Sequence, residues 1–303
     1  RHFRKAYSLA DDLLAQARRI GDRQAEMFAL IRLGNAALMS FDIGHAHESL
    51  TLAYEMASRF GSPKDRFAAA TTLGILYFTL GDHENARRLY GEGLALARSH
   101  GDRFSEILTR VNDAALANAE GRYTAAIDST EAVAAQLQEL ASENLDASAR
   151  GERGAALRHA ERYVEAVACL ERSVDMHRRL GMESSMGHYL AELALAYVAL
   201  GRLDAAAGAA AELVAGADAS LSGYTNPQFM LWAAAAVYRA AADVQRADEL
   251  LDESYELFRS RVARIPDAAW RQSFARLWFN RLIVEEHDRR KSPAANASAL
   301  RTT

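Results

Sequence analysis

One skeleton recurs along this chain at a spacing of 40 residues, and it restricts the fold more tightly than any other feature. A small residue comes first, at Gly34, Gly74, Ala114, Gly154, Ala194 and Ala234. A break follows at 41–44, Gly81, Gly121, Glu161-Arg162, Gly201 and 241–243. Beyond it stands an alanine, at Ala46, Ala86, Ala126, Ala166 and Ala206, then one residue late at Ala247. Gly21, Gly61, Gly101 and Gly181 keep the same spacing half a unit out of phase. Such self-similarity marks a solenoid, in which a unit completes its core only by stacking on its neighbours.

Residues 62–101 illustrate one unit. Pro63 suits the first turn of a helix, where its missing N–H costs nothing. From there Phe67, Ala70, Leu73, Leu76, Tyr77 and Leu80 recur at intervals of three and four, the period of one helical face. Gly81 supplies a left-handed residue to end that helix, and Asp82 can accept bonds from the free N–H groups of the next. The second helix runs through Ala86, Leu89, Tyr90, Leu94 and Ala97 to Gly101. Gly74 and Ala86 flank the turn and are expected to let the two helix axes approach closely.

These features resemble the tetratricopeptide repeats, through Leu33-Gly34, Leu73-Gly74, Tyr77, Tyr197 and the alanine series. The spacing exceeds that family's usual ~34 residues and matches its long-helix variety. The resemblance spans nearly the whole chain and implies an all-α fold: a right-handed superhelix of antiparallel helix pairs with a C-terminal capping helix. A second resemblance lies in the run Arg261-Val262-Ala263-Arg264-Ile265-Pro266-Asp267 and in Arg271-Gln272-Ser273-Phe274. It is similar to the segment closing the repeat region of large bacterial ATPase-containing signalling proteins, which also carry nucleotide cyclase, LuxR-type or activator DNA-binding modules. Ala275 and Trp278 depart from that pattern.

Along the chain, residues 1–20 read as an amphipathic helix, either half of a truncated repeat or a cap. Five units are expected over 22–61, 62–101, 102–143, 144–181 and 182–220, and a sixth after a looser connector at 221–226. Its second helix covers about 245–264 until Pro266 stops it. A final helix over 268–290, carrying Trp270, Phe274, Leu277, Trp278, Leu282 and Ile283, is expected to cap the open end of the stack. Residues 1–290 thus form one solenoid domain and 291–303 a disordered tail.

Composition narrows the function. A net charge of −4 gives no electrostatic case for binding nucleic acid or an anionic membrane. Cys169 is alone, so no disulfide framework or cysteine-based metal site can form. The longest apolar runs, such as 230–237, are far too short to span a bilayer, and no secretory segment precedes the first helix. These readings predict a cytoplasmic domain, and the start at Arg1 predicts that it belongs to something larger.

No catalytic or cofactor motif appears. Gly151-Glu152-Arg153-Gly154 lacks the lysine of a phosphate-binding loop, and no Gly-x-Ser-x-Gly or His-Glu-x-x-His is present. His45 and His47 would point about 200° apart on a helix and cannot converge on a metal; solvated surface is the expectation. Glu285-Glu286-His287-Asp288 reads as a charged helix end, and Cys169 as a small apolar residue. The chain is therefore expected to be no enzyme, with no cofactor and no metal.

In tetratricopeptide folds the first helix of each pair lines the concave face. Carried over, that role falls on Phe28, Ile31, Asn35 and Leu38, then Thr71, Ile75 and Phe78, then Leu108 and Asn118, then Arg158, His159 and His188, and last Tyr238 and Arg239. The N-terminal part is apolar and the C-terminal part polar and locally basic, which suggests a peptide or partner helix with an apolar part and an acidic end. Ordinary packing between repeats is the alternative for Phe28, Ile31 and Phe78. Arg110, Asp113, Arg150 and Arg153 stand where other units place leucines; a buried Asp113–Arg153 ion pair is expected, and an anion-binding notch with Arg158 is the other reading.

Three functions stay open. The first is a protein- or peptide-binding module, the sensor or scaffold part of a bacterial multidomain signalling or transcription regulator, whose partner is a separate protein, a peptide or the chain's own neighbouring modules. The second is a small-molecule sensor, as in sugar-responsive activators of related architecture. The third is a scaffold for self-association. An open groove favours the first, a closed and partly aromatic pocket the second, and ligand-free homo-oligomers the third.

Overall fold

The computed structural model describes residues 2–219 and 226–291, and every regular element among them is an α-helix. After α1 (His2–Ile20), the pairs are α2 (Arg23–Met39) with α3 (Ile43–Phe60), α4 (Pro63–Thr79) with α5 (His83–Ser99), and α6 (Arg103–Ala119) with α7 (Tyr123–Leu140). They continue with α8 (Glu143–His159) and α9 (Tyr163–Arg179), α10 (Glu183–Ala199) and α11 (Leu203–Ala219), and α12 (Pro227–Ala240) and α13 (Val244–Arg264). Two shorter helices follow, α14 (Ala268–Arg276) and α15 (Trp278–Lys291). The expected connector at 221–225 and the tail from 292 lie outside the described residues. The first helices of successive pairs pack on one another, so they form the inner row of a helical-repeat superhelix.

Local chemistry explains the helix limits. Asp22, Asp42, Asp82, Asp102 and Asp243 each accept a backbone N–H of the first turn they cap, satisfying groups that have no partner within the helix. Ser62 and Asp65 complete a capping box, with Pro63 in the first turn. The starts of α7, α9 and α10, at Arg122, Arg162 and Met182, have no side-chain cap. Gly81, Gly121 and Gly201 take φ near +70° at the turns inside their pairs. At the equivalent turns the same left-handed geometry is imposed on Phe41, Glu161 and Ala242, and for a bulky residue such as phenylalanine it is strained. In the first unit the break therefore falls on Phe41, not Gly44. Gly61 is extended, with φ −77°, because the capping box at Ser62 already directs the chain.

The small residues do bring helices close, but against larger partners than Ala86. A Cβ at Gly74 would stand 2.7 Å from the Tyr90 ring, and one at Gly154 2.5 Å from Leu170. Glycine on one helix thus receives a large side chain from one turn further along its partner, while Ala86 and Ala166 are fully buried beside the contact.

The C-terminal segment departs most from expectation. It does pack on the last pair, α12 and α13, as a cap would, but it is two helices and not one, and it reaches further. Leu277, at φ −52° and ψ 136°, breaks it into α14 and α15, and the segment folds back across the earlier repeats. Arg264 donates to the Ser40 carbonyl at 2.7 Å, and Ser273 Oγ to the Leu80 carbonyl at 2.7 Å. Phe274 is fully buried between Phe41 and Phe258, at ring separations of 5.5 and 6.3 Å. Arg261 lies over the Phe41 ring at 4.3 Å, and Trp270 meets His47 at 4.6 Å. Further on, Asn280 accepts from Gln228 and donates to the Phe274 carbonyl, with both amides fully buried. The aromatic residues expected to seal an end instead bury themselves against repeats at both ends of the chain.

Substitution should separate close approach from mere helix propensity. Gly154→Ala drives a methyl into Leu170 and toward the Ala166 carbonyl and should destabilise by about 1–3 kcal/mol. Gly91→Ala meets nothing within 4 Å on an exposed helix face and should stabilise by roughly 0.5–1 kcal/mol. Shifts of opposite sign in the urea unfolding midpoint are the expected result.

Candidate ligand pocket

A cavity of about 170 Å³ lies where the returning C-terminal segment crosses the inner row of helices. Its walls come from the C-terminal turns of α4 and α6 (Phe78, Thr79, Ala115, Asn118, Ala119), from α8 (Glu152, Ala155, His159) and from α10 (Ser185, His188, Tyr189, Glu192). Asn226 and the break at Leu277, Trp278 and Phe279 complete its lining, leaving it partly open. Its volume is in the range of an engineered ~150 Å³ cavity that holds one benzene. The pocket therefore suits one small molecule or one side chain.

The roof is aromatic. Trp278 packs edge-on against His159 at 4.8 Å and against Phe229 at 5.1 Å, and Arg158 lies 5.6 Å from its ring centre. His159 is stacked flat on Tyr123 at 4.8 Å. The floor is acidic. Glu152 accepts from Tyr189 Oη and Asn118 Nδ2, both at 2.9 Å, and Asn118 Nδ2 also reaches the Glu152 carbonyl. Glu192, 1% exposed, is paired with Arg158.

Burial sets the titration of these groups in different directions. It raises the Glu152 carboxyl above the ordinary value, against the opposing effects of His188, Asn118 and Tyr189. Burial pushes Glu192 the same way, but Arg158, His159 and His188 outweigh it and hold that carboxyl low. Tyr189 is pushed well above the usual phenol value by burial and by Glu152. His159 is lowered to about 4 by burial, with Glu192 opposing and Arg158 and His188 reinforcing. Arg158 donates to His159 Nε2 at 2.8 Å, which requires that nitrogen to be unprotonated.

Of the residues expected on the concave face, the fold gathers Phe78, Asn118, His159 and His188 in the pocket, with Arg158 beside it. The others lie elsewhere. Phe28 is 49% exposed beneath Arg32. Ile31 and Leu38 are partly buried against separate core clusters, and Asn35 is half-buried on α2. Thr71 is buried, with its hydroxyl 3.2 Å from the Cβ position of Gly93, at the seam between α4 and α5. Ile75 and Leu108 pack on small local clusters and Tyr238 on the main core. Arg239 is taken up by Glu286 and Asp248.

Charge at the site is the reverse of that expected. Both arginines of the supposed basic end are paired with carboxylates, while Glu152 and Glu192 line the cavity. The two acids stand 40 residues apart, at equivalent positions of adjacent units. That shared phase was the signal available in the sequence, one position away from the set assigned to the concave face.

Other charged groups also depart from expectation. Arg153 is bonded to Glu131 rather than to Asp113, which is exposed. Arg110 and Arg150 pair with Glu106 and Asp146 one turn back on their own helices. The long arginine side chains reach the surface and find carboxylates there, so neither the buried Asp113–Arg153 pair nor an anion notch with Arg158 forms. His47 is not a solvated residue but a half-buried one beneath Trp270, and His287 stacks on Tyr255 at 3.7 Å. Cys169 is partly buried against the main core. Among the described residues, no cluster of three or more His, Cys, Asp or Glu could hold a metal, and no helix is long and apolar enough to cross a membrane.

No protein-family model and no curated protein matches the chain. Solved structures do. A Rap protein complexed with competence and sporulation factor superposes with a TM-score of 0.65 at 12% identity, covering 91% of this chain and 79% of that one. NprR in complex with its cognate peptide NprX gives a TM-score of 0.65 at 15% identity, covering 94% and 84%. A signal transduction ATPase with a tetratricopeptide repeat sensor, from Pyrococcus horikoshii, gives 0.56 at 17% identity, covering 86% of this chain and 41% of that one. At these identities the likeness establishes the fold, a tetratricopeptide-type solenoid.

His159 gives the pocket a pH signature. A ring whose folded pKa is depressed contributes fully above its unfolded value of 6.5, and that contribution is lost as pH falls toward about 4. The depression corresponds to at most on the order of 3 kcal/mol. His159→Phe, which keeps the stacking on Tyr123, should flatten the fall of the melting temperature between pH 6.5 and 4 relative to the unsubstituted protein; an unchanged pH profile would refute the assignment.

Proposed function

We propose that this chain is a non-catalytic sensor module, part of a larger cytoplasmic bacterial regulator, which reads its ligand in the pocket beneath Trp278. The supporting observation is the partial covering of the inner row: the chain's own C-terminal segment lies across part of it and leaves a half-open space of small-molecule size. A site of this kind, mainly apolar with a few convergent polar groups, suits a small ligand. Occupancy is relayed through Leu277, Trp278 and Phe279, since these residues both roof the pocket and belong to the segment bonded to the first two repeats.

A peptide reading draws support from the peptide and factor named for the NprR and Rap complexes. Here a peptide would place one side chain in the pocket and lift the C-terminal segment away. Screening a fragment library by ligand-detected NMR tests the small-molecule reading. Binders are expected to compete with one another and to lose binding in Ala119→Phe, which fills the cavity from a partly exposed position. Fragments that bind that variant equally well, or an absence of binders, would contradict it.

A further inference from the structure

The pocket contains an acid with no cation of its own. Glu192 is neutralised by Arg158. Glu152 is 9% exposed, and its two bonded side chains, Tyr189 and Asn118, are neutral donors. Each carboxylate oxygen can accept twice, so each retains capacity. The groups facing Glu152 are Asn118 on α6, Tyr189, His188 and Glu192 on α10, and, at longer range, Tyr90 on α5. Of these only His188 can carry positive charge, and Glu192 adds a second negative one.

A second observation is independent of the acids. Asn118 is also 9% exposed and lines the cavity. Its amide orientation is fixed, because Nδ2 donates to two Glu152 oxygens and a flipped amide would set oxygen against oxygen. Oδ1 is thereby left as a buried acceptor without a partner. Such a group is costly to leave unsatisfied, and here it calls for a donor inside the cavity. Above these acceptors stand the rings of Trp278 and Phe78, which favour an apolar or aromatic body and present faces attractive to a cation.

Resting on the reading of this cavity as a ligand site, we infer that its ligand is a small organic amine: an ammonium group donating to Glu152 and Asn118 Oδ1, joined to an apolar or aromatic body beneath Trp278. An ammonium has three donors and no acceptor, which matches a floor made of acceptors. A carboxylate ligand would meet two acids, and a neutral alcohol brings one donor to a floor of several acceptors. Because burial favours the protonated form of Glu152 and a bound cation the ionised form, amine binding is coupled to loss of the Glu152 proton and strengthens as pH rises through the titration of that carboxyl.

Benzylamine, benzyl alcohol and benzoate share one ring and differ at the group that would meet the floor. Titration calorimetry at pH 7.5 should give at least tenfold tighter binding for benzylamine than for either of the others. In Glu152→Gln, which keeps the side-chain shape, its oxygen still accepting from Asn118 while its NH2 donates to a Tyr189 hydroxyl turned to accept, that preference should collapse to within about threefold. For the unsubstituted protein, benzylamine affinity should rise as pH climbs above 4.5, the ordinary carboxyl value, with a buffer-dependent enthalpy over that rise marking proton release. If benzyl alcohol or benzoate binds as tightly as benzylamine and is lost in Ala119→Phe, the cavity binds ligands and the amine inference fails. If none of the three shows binding that depends on Ala119, the reading of the cavity fails and the inference with it. Thermal unfolding of Glu152→Gln supplies an independent check on its role: a buried acid with a raised pKa loses stability as pH climbs above its ordinary value of 4.5, so this variant should gain on the unsubstituted protein as pH rises from there.

Discussion

A solenoid has no inherent reason to close, because each unit touches only its neighbours. Here closure depends on the seating of Phe274 between Phe41 and Phe258, with Arg261 over the outer ring. The contacts of Phe41 with Phe274 and Arg261 join residues more than 200 positions apart in the chain. Phe41 holds a left-handed backbone that a bulky residue adopts only under constraint, at a cost on the order of 1–3 kcal/mol. Burial of its ring in this cluster supplies the compensation. Bonds from Arg264 and Ser273 to carbonyls at the turns of the first two pairs then fix the direction of the returning segment. Without this docking Trp278 would have nothing to roof.

The pocket follows from that closure. Its walls are the inner helices, which the repeat places in register, while its roof is the interruption at Leu277 between α14 and α15. The repeats also supply the chemical asymmetry. Equivalent positions in two adjacent units carry Glu192 and Glu152, the first neutralised by Arg158 and the second facing neutral donors, His188 and the first acid. A uniform scaffold can in this way produce a specific site: the backbone repeats, whereas the side chains at one phase do not.

The sequence contained the architecture in plain form, because helix period, turn glycines and capping aspartates are local signals that recur. The limits of the helix pairs lie within a few residues of the units read from them, but the break at Leu277 does not follow from these signals. The site was legible only in part. Phe78, Asn118, His159 and His188 could be placed by phase alone, but Phe28, Ile31 and Tyr238 share that phase and pack elsewhere, since phase says nothing about what covers a face. The fold-back of the C-terminal segment is a long-range event. Its aromatic residues announced burial, yet whether they would bury against the last repeat or the first is decided by superhelical geometry that no local pattern encodes. Glu152 was passed over for a related reason: it lies within an apparently ordinary helical run, and its isolation from cations appears only once Arg158 has been drawn to Glu192.

The closure can be measured directly as a distance. With Cys169 replaced by serine, spin labels at His45 in the first pair and Gln272 in α14, both exposed, report whether the C-terminal segment reaches the N-terminal repeats. The account predicts a single narrow distribution at the short end of the measurable range, given that Trp270 lies 4.6 Å from His47. A long or broad distribution, as for a segment capping the far end of an open stack, would contradict it.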